Sequence, residues 1–269
     1  MNAPGAKAFD TVDIYGMHFA RITSLELYDH LFAELERGRG GWLVTANLDF
    51  LRRHVHKAEG AHLYSQADIR VADGMPIVWA SRWLAEAVPE RVAGSAMVMP
   101  VCERAAREGR SVYFMGGDPA ANEAAAALLR ERFPDLQIVG NTSPWISLPP
   151  TAAELAPLKE ELQSAQPDFV FVAFGSPKQE YVIEALKSSL PGAWWVGVGI
   201  SLSFVAGHIK RAPGPLQTLG LEWVHRLAQE PRRLAKRYLL HGLPFAARLF
   251  LWSSIRRLSR TLGGAQNRN

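Results

Sequence analysis

The chain lacks most of the usual means of building a catalytic centre. It has one cysteine, Cys102, in 269 residues. An internal disulfide and a CxxC metal knuckle are therefore excluded, and a reducing compartment is the consistent reading. There is no HExxH, and the eight histidines are scattered. There is no DxD, the carboxylate pair that commonly holds Mg²⁺ or Mn²⁺ under a nucleotide diphosphate. The GxGxxG fingerprint and the Walker GxxxxGK[ST] loop are absent too, which tells against NAD enzymes and P-loop ATPases. Internal repeats and low-complexity blocks are missing, and no apolar run stands behind a basic start in Met1 to Asp10, so export is not expected and the cytoplasm is the default. No metal or other cofactor is implied by these residues.

Hydrophobic residues make up 48% and charged residues 21%, so the chain can bury a real core. Its charge is unevenly placed. From Leu221 onward ten Lys and Arg face two acids, a local net charge of +8, whereas the first 220 residues carry twenty basic and twenty-four acidic residues, or −4. The basic tail is also rich in apolar side chains, among them Trp223, Leu234, Tyr238, Phe245, Leu249, Phe250, Trp252, Ile255 and Leu258. Gly242, Pro244 and Arg248 interrupt this run before it reaches the roughly 18–20 residues of a spanning helix. The segment suits the surface of a membrane. Its leucines and aromatics fit lipid better than a phosphate backbone, so nucleic acid is not the expected partner.

Along the chain, Thr11–Ile14 and Met17–Ala20 flank Tyr15-Gly16 as a hairpin. A helix capped near Thr23 or Ser24 runs to the glycines at 38, 40 and 41. The strand Trp42–Thr45 delivers Thr45 and Asn47 to the loop that follows it. Helical stretches to His56 and over Ala61–Ala67 precede the strand Ile69–Ala72, which ends on Asp73-Gly74, where a helix carrying Trp79 and Trp83 begins. Cys102 lies on an apolar helical face and belongs to the core. From Ser111 strands and helices alternate: strands at Val112–Met115, Gln137–Val139, Phe169–Phe174 and Trp194–Val198, with helices to Phe133 and over Thr151–Ser164 and Lys178–Leu190. This pattern predicts an α/β fold with a Rossmann-like, mostly parallel sheet flanked by helices, a small N-terminal hairpin and a basic helical C-terminal appendage. Residues 1–220 form the α/β domain and 221–269 the appendage.

Ligands of such sheets bind at the carboxyl ends of the strands. The polar and Gly-rich loops lie there: Asp73-Gly74, Gly116-Gly117, Gly140-Asn141, Gly175 to Glu180, and Gly197 to Ser203. Gly116-Gly117 either admits a phosphate to a helix N-terminus or simply makes a tight turn. Lys178, Gln179 and Glu180 either offer donors to a diphosphate or sugar, or cap their helix, with Glu180 stabilising its dipole. Asp73 either accepts a proton in a desolvated cleft or caps the next helix. Arg91 is an anion clamp or a solvated loop residue. Without a metal, a departing diphosphate needs cations and helix N-termini, and Arg211, Arg226, Arg232, Arg233 and Arg237 supply either that clamp or a membrane-facing stripe.

Eight ordered motifs resemble the WecG/TagA/CpsF glycosyltransferases: Thr45-Ala46-Asn47, Ala72-Asp73-Gly74-Met75, Arg91-Val92-Ala93-Gly94-Ser95, Gly116-Gly117, Gly175-Ser176-Pro177-Lys178-Gln179-Glu180, Gly197-Val198-Gly199, Lys210-Arg211-Ala212-Pro213 and Gly220-Leu221-Glu222-Trp223. The similarity spans about Ile14 to Tyr238. It implies a metal-independent, inverting transferase that moves a hexose from a UDP-sugar, of the UDP-glucose or UDP-N-acetylmannosamine type, onto a polyprenyl-diphosphate-linked saccharide. It further implies a cytoplasmic protein held peripherally at the inner face of the cell membrane. Asp73 is then the general base, Thr45, Asn47, Arg91 and Gln179 surround the sugars, and the arginines after Gly220 close the site over the diphosphate. Two positions depart from the family pattern: Ala96 stands where an acid is usual, and Ser203 where Asp is common. Losing carboxylates near a hydroxyl-rich ligand changes which sugar is recognised. The alternative is a non-catalytic nucleotide-sugar or lipid-binding protein in which Asp73 only caps a helix.

Overall fold

In the computed structural model, which describes residues 9–218 and 220–266, chain order follows the predicted alternation closely. The elements are β1 (Thr11–Ile14), β2 (Met17–Ala20), α1 (Ser24–Glu36), β3 (Gly41–Ala46), α2 (Leu48–His56), α3 (Ala58–Ser65), β4 (Ile69–Ala72), α4 (Met75–Trp83), α5 (Gly94–Glu108) and β5 (Ser111–Met115). They continue with α6 (Pro119–Arg132), β6 (Gln137–Thr142), α7 (Ala152–Ala165), β7 (Phe169–Val172), α8 (Lys178–Leu186), β8 (Trp194–Gly197) and α9 (Ser201–Val205). Helix α10 (Gly214–Thr218) precedes the appendage, which holds α11 (Glu222–Gln229), α12 (Pro231–Ala235), a π-helical turn over Lys236–Gly242, and α13 (Leu243–Gln266).

Six strands form one sheet in the order β4-β3-β8-β7-β5-β6. Every pairing in it is parallel. Alternate residues of a strand enter opposite cores: Trp42, Val44 and Ala46 of β3 pack on one side, with Val170 and Val172 of β7, while Leu43, Phe169 and Phe171 pack on the other. That is why these strands read as unbroken apolar runs rather than alternating ones. Burying one such phenylalanine contributes roughly 1.5–3 kcal/mol. Cys102 is fully buried, as its helical face requires.

Boundaries differ from the sequence reading in places. Helix α3 begins and ends earlier than Ala61–Ala67, β7 stops at Val172 rather than Phe174, and α8 ends at Leu186, followed by a 3-10 turn over Lys187–Ser189. Gly140 and Asn141, expected in a strand-end loop, lie inside β6, which continues to Thr142. The reason is packing. A Cβ on Gly140 would lie 2.3 Å from the Tyr113 ring. The glycine makes room for that ring beside a break in register between Val112 and Tyr113 and does not turn the chain.

The appendage is docked on the body of the protein. Phe245, Leu249 and Ser253 of α13 are buried, the Trp252 ring stacks on Tyr15 at 4.3 Å, and Arg256 pairs with Asp13 at 3.2 Å. The opposite face of α13 presents Leu251, Ile255 and Leu258 to solvent, each more than half exposed. No helix among the described residues is long and apolar enough to cross a membrane.

Gly140→Ala should cost about 1–3 kcal/mol, the usual penalty for overpacking a filled interior. Thermal unfolding is the check; a melting temperature equal to that of the wild type would mean that Tyr113 yields freely.

Candidate active site

Asp73 leaves β4 at the carboxyl edge of the sheet, and its backbone N–H donates to Ala46 O at 2.9 Å, which fixes it beside the end of β3. Val92 N–H donates to Ala72 O at 2.9 Å and brings in the segment before α5. The first amide of that helix, Gly94 N–H, then donates to Asp73 Oδ2 at 3.3 Å. Gly94 fits closely against Thr45, since a Cβ there would lie 2.7 Å from Thr45 Oγ1. The ends of β3 and β4 and the start of α5 thus converge at Asp73, and the Gly94 N–H meets its carboxylate.

Charges complete the cluster. Arg91 Nη1 donates to Glu222 Oε2 at 2.9 Å, and Arg211 Nε lies 3.5 Å from Glu222 Oε1. This Arg211 Nε is buried and makes no hydrogen bond among the described residues. A buried N–H donor left so costs free energy until an acceptor arrives. Asp73 keeps a partial opening to solvent, although protein crowds its carboxyl. Burial pushes that carboxyl up to about 7, Arg91 opposes the rise, Glu222 adds to it, and the Gly94 N–H and Arg211 oppose it more weakly. A carboxylate of this kind can take a proton near neutral pH.

Other expected residues lie further along the same edge. Asn47 adjoins Gly74, but its side-chain oxygen caps α2 by accepting from Asp49 and Phe50 N–H. Gln179 lies over Gly197 at the end of β8 and accepts from Gly199 N–H at 3.0 Å. Glu180 is 2% exposed. It accepts from Ser176 Oγ at 2.6 Å and from Gln179 Nε2 at 2.7 Å, while Ser176 accepts from Arg53 at 2.7 Å. Burial raises the Glu180 carboxyl. It therefore braces Gln179 from below and does not face a ligand, while standing in the first turn of α8, where an acid suits the helix dipole. Lys178 bonds to Ile146 O, which spends it on the loop after β6.

Gly116 and Gly117 both have positive φ, at +87° and +84°, and Asn122 Nδ2 ties the turn by donating to Gly116 O at 2.9 Å. Four strand spacings separate β5 from β4 in the sheet order, about 19 Å. The glycine turn and Asp73 can thus meet only opposite ends of an extended ligand.

In the appendage, Arg237 Nη2 lies 3.3 Å from Asp49 Oδ2, on α2 just beyond Asn47. Burial would raise the Asp49 carboxyl, yet Arg237, Arg53 and Arg52 together hold it below the usual range. Arg226 is carried on α11, the helix that Glu222 opens, and the Arg233 side chain lies outside the described residues. Ala96 occupies the first turn of α5, and Ser203 lies on α9 after β8. Among the described residues no cluster of three or more His, Cys, Asp or Glu is placed to hold a metal ion.

A family model for the glycosyl transferases of the WecG/TagA/CpsF family matches residues 12–260. The chain belongs to this family. It is accordingly a glycosyltransferase of polysaccharide synthesis, and its carboxylate cluster lies where parallel sheets bind their ligands. Glu222 is the residue that the sequence reading left out of the site. Its motif was visible in Gly220-Leu221-Glu222-Trp223, but its role depends on a contact 131 residues away in the chain, with Arg91.

The folded protein binds the Asp73 proton more tightly than the unfolded chain, where the carboxyl titrates near 3.8. This group therefore stabilises the fold at low pH and loses that contribution as pH rises through about 7. Asp73→Asn should raise the melting temperature relative to the wild type, by more at about pH 8 than at about pH 5. Glu222→Gln should lower the Asp73 titration midpoint, followed by ¹³C NMR of its carboxyl; an unmoved midpoint would remove Glu222 from the causes.

Proposed function

We propose that this glycosyltransferase moves a hexose from a UDP-sugar to a polyprenyl-diphosphate-linked saccharide, with inversion and without a metal ion. The observation that carries the reading is the Asp73 carboxylate with Arg91 and Arg211 within one cluster. Asp73 takes the proton of an acceptor hydroxyl as its oxygen attacks the anomeric carbon. The new C–O bond forms on the face opposite the breaking bond to the diphosphate, so configuration inverts, and UDP leaves with the electron pair. Arg91, Arg211 and the appendage arginines Arg226, Arg233 and Arg237 stabilise the charge that collects on it. Thr45, Asn47 and Gln179 orient the sugars, and Gly116-Gly117 meets the far end of the donor. The expected partners are thus the UDP-sugar and the lipid-linked acceptor, and no cofactor is required.

Residues 221–269 serve in this reading as the membrane-associating appendage of a catalytic domain spanning 1–220, at the cytoplasmic face. The support is a helix, α13, apolar on the face it packs and apolar again at Leu251, Ile255 and Leu258, with basic residues between. Such a helix suits the headgroup boundary, where an acceptor diphosphate lies. Ala96 and Ser203 keep the donor open between UDP-glucose and UDP-N-acetylmannosamine, since each removes a carboxylate usual in the family.

Asp73→Asn should reduce turnover about 10²–10⁴-fold while UDP-sugar binding survives. The wild-type kcat/KM should rise about tenfold per pH unit up to about 7 and then level. Product formation by the variant at the wild-type rate, or activity lost to chelator and restored by manganese, would refute the mechanism. Truncation after Gly220 should abolish binding to anionic liposomes, read by co-sedimentation.

A further inference from the structure

Helices α4 and α13 enclose an open groove of about 540 Å³, a size typical of ligand clefts. One wall is Trp79, Arg82 and Trp83, at helical positions i, i+3 and i+4; the other is Phe250, Ser254 and Arg257, at i, i+4 and i+7. The floor is hydrocarbon and aromatic ring. Ser254 adds no free hydroxyl proton to it, because its Oγ donates to Phe250 O at 2.8 Å. Arg257 Nη1 donates to Trp83 O at 3.3 Å and fastens the two helices together. Trp79 and Trp83 remain 39% and 51% exposed, unusual for two tryptophans one turn apart.

The groove lies along α4, about one to three turns beyond the catalytic end. Helix α4 begins two residues after Asp73, and the chain entering the appendage presses on that first turn, where a Cβ on Gly220 would lie 2.4 Å from Met75 Cγ. At 1.5 Å per residue, Trp79 and Trp83 lie about 9 and 15 Å along the helix from Asp73. One sugar and a diphosphate span a comparable length. The lining is apolar and aromatic except for Arg82 and Arg257, which lie at the Trp83 end, so the groove matches a hydrocarbon chain whose anionic head stays outside it toward Asp73.

We propose that this groove seats the first isoprene units of the lipid-linked acceptor, with the chain against Trp79, Trp83 and Phe250 and its diphosphate toward Asp73. The proposal rests on the lipid-diphosphate reading of the acceptor given above. Residues of both the sheet domain and the appendage form the seat, so the chain is gripped only when the appendage is docked.

Two variants test it: Trp83→Ala removes a wall, and Ser254→Trp fills the space. In detergent solution without vesicles, each should lower the ratio of kcat/KM for a long-chain polyprenyl-diphosphate saccharide to that for a two-isoprene analogue. The expected fall is about tenfold, the effect of one well-packed aromatic contact. Circular dichroism verifies that each variant is folded. An unchanged ratio in both overturns the proposal. So does a fall seen only on vesicles of phosphatidylglycerol and phosphatidylethanolamine and matched by lost partitioning, because the tryptophans then meet the bilayer itself. A wild-type dimer that Ser254→Trp dissociates would likewise assign the groove to a second copy. If the wild type uses neither acceptor, the functional reading fails on its own. The groove is then decided by tryptophan quenching with a brominated prenyl monophosphate: saturable quenching diminished in Trp83→Phe sustains it, and quenching equal in both proteins overturns it.

Discussion

The site depends on a carboxyl group that neighbouring charges do not fully neutralise. Asp73 is drawn toward ionisation by Arg91, Arg211 and the Gly94 N–H, and drawn away from it by burial and by Glu222, with burial the largest effect. The balance leaves a group that can exchange a proton near neutral pH, which an isolated Arg–Asp pair would not do. Much of the local architecture serves this arrangement. The hydrogen bonds from Asp73 to Ala46 and from Val92 to Ala72 close the ends of β3 and β4, and Gly94 lets α5 start directly against Thr45.

Glu222 gives the cluster its connection to the appendage. It opens α11, and it lies on both arginines that face Asp73. The position of the appendage and the proton affinity of the site are therefore linked through one side chain. An incoming diphosphate would present the same kind of oxygen acceptors to Arg91, and would satisfy the buried Arg211 Nε that Glu222 leaves without a hydrogen bond. Further along, α13 is held by Tyr15, Asp13 and the carbonyl of Trp83, so the N-terminal hairpin anchors the appendage to the sheet domain.

Much of this was legible in the sequence. The hairpin was visible as two short strands flanking Tyr15-Gly16, and the alternation after Ser111 because parallel strands buried on both faces are unbroken apolar runs and because Asp118 and Thr151 cap the helices they precede. The candidate site residues Thr45, Asn47, Asp73, Arg91 and Arg211 could be selected as polar groups at strand ends or in cationic segments. Lys178 and Glu180 show where that reasoning stops. Both sit beside Gln179 in one motif, yet Lys178 turns to a backbone carbonyl and Glu180 turns inward to Ser176, because consecutive helical residues point about 100° apart.

What the sequence determined by itself was the periodic part of the protein: an α/β sheet with polar and Gly-rich loops at the carboxyl ends of its strands, a core holding the lone cysteine, and a basic tail too interrupted to span a bilayer. Tertiary structure alone decided which charges meet. The pairing of Glu222 with Arg91, the seating of Arg237 on Asp49 and the groove between α4 and α13 join segments more than a hundred residues apart. Periodicity reports which face of an element is buried, whereas such contacts depend on the mutual orientation of elements whose local patterns carry no information about one another.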